Sequence, residues 1–211
     1  MKIAVVGDAS CVLELEARCP GATVMSCDSV TAMLNEDADA YFDLDFTKDL
    51  ERIKTLSRLL PKLVFVNSVV DTLQEIGQPF ARVNAWPTFF NRDICELAVT
   101  NQSLLSTKQF MELINWKYHI VPDEPGMISA RIVAMIINEA YYTTEAGVST
   151  REEIDIAMKL GTNYPYGPFD WANKIGLKNI VSLLTALRKT DERYTISSLL
   201  ESEAGEKEIG N

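Results

Sequence analysis

A chain of 211 residues with 47% apolar side chains is long enough to bury a sizeable core, in one domain or two small ones, and is too apolar for a disordered class. Thirty acidic against 20 basic residues give a formal charge of −10, which repels nucleic acid and anionic membrane surfaces and argues against partners of either kind. Cys11, Cys19, Cys27 and Cys95 include no C-x-x-C pair and the single His119 lies far from them, so no metal site is expected and the thiols read as packed or idle.

The amino terminus shows neither a signal-peptide pattern nor an uncharged run of about 18 residues, which predicts a soluble, cytoplasmic protein. Lys2 to Gly7 (Lys-Ile-Ala-Val-Val-Gly) reads as a buried parallel strand ending where a Rossmann phosphate loop would begin. The next residues, Asp8-Ala9-Ser10-Cys11-Val12, put Ala9 and Val12 where the G-x-G-x-x-G fingerprint has glycine. Ala9 sets a methyl group where backbone must approach a pyrophosphate, Val12 crowds helix against strand, and Asp8 adds negative charge beside bound phosphates. The surviving cofactor-binding candidates are Gly7 and Asp28, an acid 21 positions on that follows a second strand near Ala22 to Ser26 and could meet a ribose hydroxyl.

Only about fifteen residues separate these strands, which predicts a helix of two turns at most. Further alternation follows: a short segment at Val30–Leu34, a strand at Ala40–Leu44, a helix at Asp49–Leu60, a strand at Leu63–Asn67 and a short helix at Thr72–Ile76. Strands at Ala81–Ala85 and Glu96–Val99, a helix at Ser106–Trp116 and a last strand at Lys117–Val121 complete the series. Such alternation implies a mostly parallel sheet covered on both faces, and Pro122 is the natural boundary between a domain over 1–122 and another over 123–211.

Beyond it the pattern turns helical. Pro125 suits a first-turn position, and Ile128, Ile132, Met135, Ile136 and Ala140 predict one long helix that Gly147 closes. Ser149-Thr150-Arg151-Glu152-Glu153 offers two overlapping capping boxes for a second helix, with Ile154, Ala157, Met158 and Leu160 as its inner stripe. Two glycines, two prolines and a Gly-Pro pair between Gly161 and Pro168 then force a tight turn before a third helix near Pro168.

Pro125-Gly126-Met127-Ile128, Asn138-Glu139-Ala140, Ile154 to Gly161, and Tyr164-Pro165-Tyr166-Gly167-Pro168-Phe169 together closely resemble the carboxy-terminal domain of 3-hydroxyacyl-CoA dehydrogenases. The resemblance covers roughly residues 122 to 205 and is weaker upstream. It implies an α/β architecture: an abbreviated Rossmann-like, mostly parallel sheet followed by an all-α dehydrogenase carboxy-terminal domain. It also implies NAD as cofactor, an acyl-CoA or hydroxy-acid ligand, and a homodimer through the helical domain.

Members of this family carry a catalytic His followed twelve positions later by a Glu that orients it. Here that spacing runs from Asn84 to Glu96: the Glu is present, and a carboxamide stands in place of the base. The family's substrate-binding Ser and Asn fall at Val69, or Ser68 on a shifted register, and at Ala130. Glu96, Asn84 and Ser68 are thus the catalytic candidates, and the resemblance implies NAD-dependent oxidation of 3-hydroxyacyl-CoA that is weak or lost. The alternative is a non-catalytic protein that keeps this fold for binding a small molecule or for assembly. Trp86, Phe89 and Phe90 read as core or as lining for a ligand cleft.

Overall fold

The computed structural model describes residues 1–206, and the chain divides into two compact units, Met1–Met127 and Ile128–Asn211. In the first unit seven strands form one sheet: β1 (Lys2–Val6), β2 (Thr23–Ser26), β3 (Ala40–Asp43), β4 (Leu63–Asn67), β5 (Ala81–Val83), β6 (Ile94–Val99) and β7 (Lys117–Ile120). Their order is β2-β1-β3-β4-β5-β6-β7, and every pairing is parallel except β5 with β6. The first five follow the doubly wound 2-1-3-4-5 order, one strand short, on the β2 side, of the full dinucleotide-binding sheet. The sheet is therefore mostly parallel and abbreviated, as expected.

The central strands read as unbroken apolar runs because both faces are buried. Ile3, Val5, Phe42, Phe65, Val83 and Leu97 pack on one face, and Ala4, Val6, Tyr41, Val64 and Val66 on the other. Phe42 and Phe65 stack with ring centroids 4.3 Å apart, and Phe110 of α5 (Leu104–Leu113) closes on both at 6.0 and 5.3 Å. Truncating any of these rings to alanine costs about 3–5 kcal/mol.

Several boundaries differ from the sequence reading. Helix α1 (Ala9–Arg18) has ten residues, almost three turns, because it starts only two residues after β1 and spends little of the connection on loop. Helices α2 (Val30–Met33), α3 (Leu50–Ser57) and α4 (Leu73–Ile76) fall where expected, α3 ending before Leu60. Helix α5 starts before Ser106 and stops before Trp116, since Asn115 adopts a positive φ of 55°. The loop Pro125 to Ile128 is not a first turn: Gly126 and Met127 have φ of 78° and 48°, so the long helix α6 begins only at Ser129 and runs to Glu145.

The second unit comprises α6, α7 (Arg151–Thr162), α8 (Pro168–Ile175), α9 (Leu177–Arg188) and α10 (Ser198–Glu206). Gly147, at φ 67°, ends α6 as predicted, its N–H donating to the Thr144 carbonyl. Buried Asn138 clamps the segment before α10, donating to the Thr195 carbonyl and accepting from the Ser197 amide. Of the two possible capping boxes at α7, Thr150 with Glu153 forms. The expected inner stripe of α7 does not: Leu160 is 83% exposed and Ala157 exposed, Ile154 and Met158 are half-buried, and the buried residue is Asp155.

Asp155 faces inward because α8 lacks a capping side chain of its own, its N-cap being Gly167. The Asp155 carboxylate accepts the Phe169 and Asp170 amides at 2.9 and 3.1 Å, satisfying two donors at the head of α8. Gly167 makes room for it: a Cβ there would lie 2.2 Å from the carboxyl carbon.

Candidate functional site

The sheet order sorts the five candidate residues into two groups. Gly7 and Asp28 follow the neighbouring strands β1 and β2; Ser68 follows β4, Asn84 follows β5, and Glu96 lies on β6. β5 and β6 pair with Ala81 opposite Val99 and Val83 opposite Leu97, so the register carried one residue further sets Asn84 across from Glu96. Residues opposed in this way share a face of the sheet. The twelve-residue spacing is thus a cross-strand pair in this fold.

Asn84 is buried, and its side-chain oxygen accepts from the Trp86 amide at 3.3 Å. A carboxamide in this role orients backbone and cannot accept a proton at neutral pH as imidazole does. Ser68 is also buried, its hydroxyl donating to the Asp71 carbonyl at 2.8 Å, which employs it in closing the turn after β4. Glu96 is half-buried, and Asp28 is exposed. Trp86, Phe89 and Phe90 are buried in the unit's core, with Phe90 edge-on to Trp116 at 5.1 Å. Thr88 between them holds a φ of 79°, unusual for a β-branched residue, with its amide bonded to the Glu14 carboxylate at 3.0 Å. Arg18, also on α1, donates to the Phe90 and Asn91 carbonyls, so α1 latches this segment at two points.

Two residues of this region went unread in the sequence. Asn67 at the end of β4 donates to the Leu44 carbonyl at 2.9 Å and accepts from the Ala85 amide at 3.0 Å, fixing the backbone just past Asn84. Arg82 on β5 is fully buried: its Nε donates to the Ser68 carbonyl at 2.8 Å and its Nη2 to the Val69 carbonyl at 3.2 Å, while Nη1 meets the Asp123 carboxylate. Burial lowers the Arg82 pKa and the Asp123 partner opposes that shift. Asp123 in turn accepts the Leu73 and Gln74 amides at the start of α4. The one signal in the sequence was an arginine inside the apolar run Phe80-Ala81-Arg82-Val83.

At the head of α1 the residues do not fit a dinucleotide. Asp8 is the N-cap, in extended conformation, and its Oδ1 accepts the Ser10 amide at 2.8 Å, the Cys11 amide at 3.1 Å and the Ser10 hydroxyl at 2.6 Å. These are donors a pyrophosphate would take. Burial raises the Asp8 pKa, but the hydrogen bonds from Ser10 and Cys11 outweigh it and hold the carboxyl below its usual value, so the charge persists at neutral pH. Gly7 has a packing reason to be glycine, since a Cβ there would sit 2.8 Å from that of Leu44. Burial pushes the thiols of Cys11 and Cys19 up to about 12 and about 11, leaving them protonated and unreactive. Among the described residues, no cluster of three or more His, Cys, Asp or Glu could hold a metal ion, and no helix is long and apolar enough to cross a membrane.

An abbreviated, doubly wound sheet unit is followed along the chain by an all-α unit. Over the whole fold the chain resembles (S)-3-hydroxybutyryl-CoA dehydrogenase from Ralstonia eutropha, with a TM-score of 0.75 and 16% identity, covering 98% of this chain and 94% of the other. Residues 126–211 match the family model of the 3-hydroxyacyl-CoA dehydrogenase carboxy-terminal domain, and over that stretch the chain is similar to this family. The 3-hydroxyadipyl-CoA dehydrogenase of Escherichia coli is 46% identical over 86 residues, 40% of this chain and 18% of that protein. A probable 3-hydroxybutyryl-CoA dehydrogenase of Bacillus subtilis is 31% identical over 166 residues, 71% of this chain and 57% of that protein. The chain therefore spans between 18% and 57% of the length of these relatives.

Proposed function

We propose that this is a cytoplasmic 3-hydroxyacyl-CoA dehydrogenase-like protein in which the family reaction, NAD-dependent oxidation of 3-hydroxyacyl-CoA to 3-oxoacyl-CoA, is weak or lost. The observation that carries this reading is Asn84, buried opposite Glu96 where the family has its base. A positioned base contributes on the order of 10² to 10⁴ in rate, so its loss leaves little turnover. Ala130 at the family's substrate Asn position removes a donor to the substrate oxygen as well. NAD is held weakly, and the ligand class is an acyl-CoA or related hydroxy acid. The test is NADH formation from 3-hydroxybutyryl-CoA: turnover comparable to an intact family member would overturn the reading and make Glu96 the first suspect as base.

The second reading, a non-catalytic assembly or binding protein, is favoured by the surface of the helical unit. Ile128 and Ile132 are 49% and 53% exposed at the start of α6 and one turn on, with Met135 and Ile136 half-buried further along, and Ile156 and Leu160 are exposed on α7. Such a concentration of apolar surface supports a homodimer through this unit. Light scattering that finds a monomer at micromolar concentration removes it.

A further inference from the structure

The head of α1 is the one place where a dinucleotide sheet must meet a polyanion, and here it is already occupied from within. One carboxylate oxygen of Asp8 gathers two amides and a hydroxyl that face the turn, and the residue's extended backbone, with φ −63° and ψ 154°, lets its side chain fold back to reach them. The neighbouring strands add charge of the same sign: Asp28 follows β2 and Asp45 follows β3, both exposed. Two cations that follow β3 have other partners. Arg52 binds Asp43 at 2.7 Å, and Lys48 binds Asp71 at 2.5 Å.

We infer that Asp8 is a built-in occupant of the anion position at the head of α1, so that the amino-terminal unit has exchanged dinucleotide binding for a self-closed turn. The carboxylate supplies what a phosphate would supply to the helix, namely acceptors for its orphan N–H groups and a negative charge at its positive end. A phosphate must therefore displace a tethered anion and then sit beside it. The methyl of Ala9 is secondary, because removing it leaves the acceptor in place. The inference rests on the dinucleotide-fold reading proposed above, but concerns binding alone and is separable from the loss of the base at Asn84.

The experiment is calorimetric titration of the full chain with NAD and with ADP, on the natural sequence and on Asp8→Gly, Asp8→Asn and Ala9→Gly. The natural sequence and Ala9→Gly are expected to show no binding in the micromolar range. Asp8→Gly should bind both probes at least tenfold more tightly, which is ~1.4 kcal/mol, with Asp8→Asn between. Micromolar NAD binding by the natural sequence overturns the inference, as does a gain with Ala9→Gly alone or no gain in an Asp8→Gly protein of unchanged circular dichroism. Should Asp8→Gly fail to fold, Asp8→Asn decides in the same sense. NAD binding without NADH formation by the natural sequence would sink this inference and leave the reading of Asn84 intact; binding regained in Asp8→Gly without turnover supports both.

Discussion

Aspartates close several helix N-termini in this molecule, and they differ in where the aspartate comes from. Asp8 caps its own helix from the residue before it. Asp155 reaches across from α7 to the amides of Phe169 and Asp170, and Asp123 comes from 50 residues away to cap α4 while neutralising Arg82. The local cap stands in partly exposed backbone, where water can take over its donors if the carboxylate is removed. The remote caps are tertiary contacts, and losing one strands donors such as the buried Phe169 amide. Location thus decides whether the same chemical group tunes a site or holds a domain together.

The largest expected effect comes from removing the partner of a remote cap. Arg82→Met should destabilise the first unit by about 3–5 kcal/mol, because the Ser68, Val69 and Glu124 carbonyls and the Asp123 carboxylate lose a buried guanidinium. Chemical denaturation followed by circular dichroism measures it, and a loss below about 1 kcal/mol would mean that the network relaxes onto water. Next comes Asp155→Ala, expected to cost about 2–3 kcal/mol by orphaning the Phe169 and Asp170 amides. Gly167→Ala should cost a comparable amount by steric conflict with the Asp155 carboxyl. If the two effects arise from the same contact, the double variant will be clearly less destabilised than the sum.

Asp8→Ala should cost only about 1 kcal/mol, visible as a fall of roughly 2–4 °C in Tm. The smallest effect is its pH dependence. The folded-state pKa of Asp8 lies below its ordinary value of 3.8, so its contribution is fully present above that value and is lost as pH falls through the lower folded one. The Tm difference between the natural sequence and Asp8→Asn should therefore be constant from pH 7 down to about 4 and shrink only below it. A difference that closes near pH 6 would show that another group holds the turn.

The same contrast between local and remote contacts explains what the sequence could tell. Strands were legible because β1, β3 and β4 are unbroken apolar runs, and the starts of α7 and α8 because Thr150, Glu153 and Pro168 act within one turn of themselves. The start of α6 was misread because Pro125 fits a first turn; Pro125-Gly126 is equally a turn signal, while the positive φ of Met127 leaves no mark in residue type. The inner face of α7 was misread for a different reason. Hydrophobic periodicity picks Leu160, whereas the fold turns Asp155 inward to serve α8. Asn67 and Arg82 were invisible because their partners, from Leu44 to Asp123, are close only after folding. The Asn84–Glu96 pair was legible only through the family's spacing.

The ion pair of Arg82 also bears on how this chain can be dissected. The segment leaving the sheet is stapled back onto it: Asp123 meets Arg82, the Glu124 carbonyl accepts from the same guanidinium at 3.4 Å, and the Gly126 amide donates to the Val69 carbonyl at 2.7 Å. A recombinant fragment ended at Pro122 would retain a buried cation and discard its counter-ion, whereas one ended at Met127 keeps both. Five residues that resemble a linker thus belong to the folding unit before them, and a protease given access there would remove a structural element rather than trim a tether.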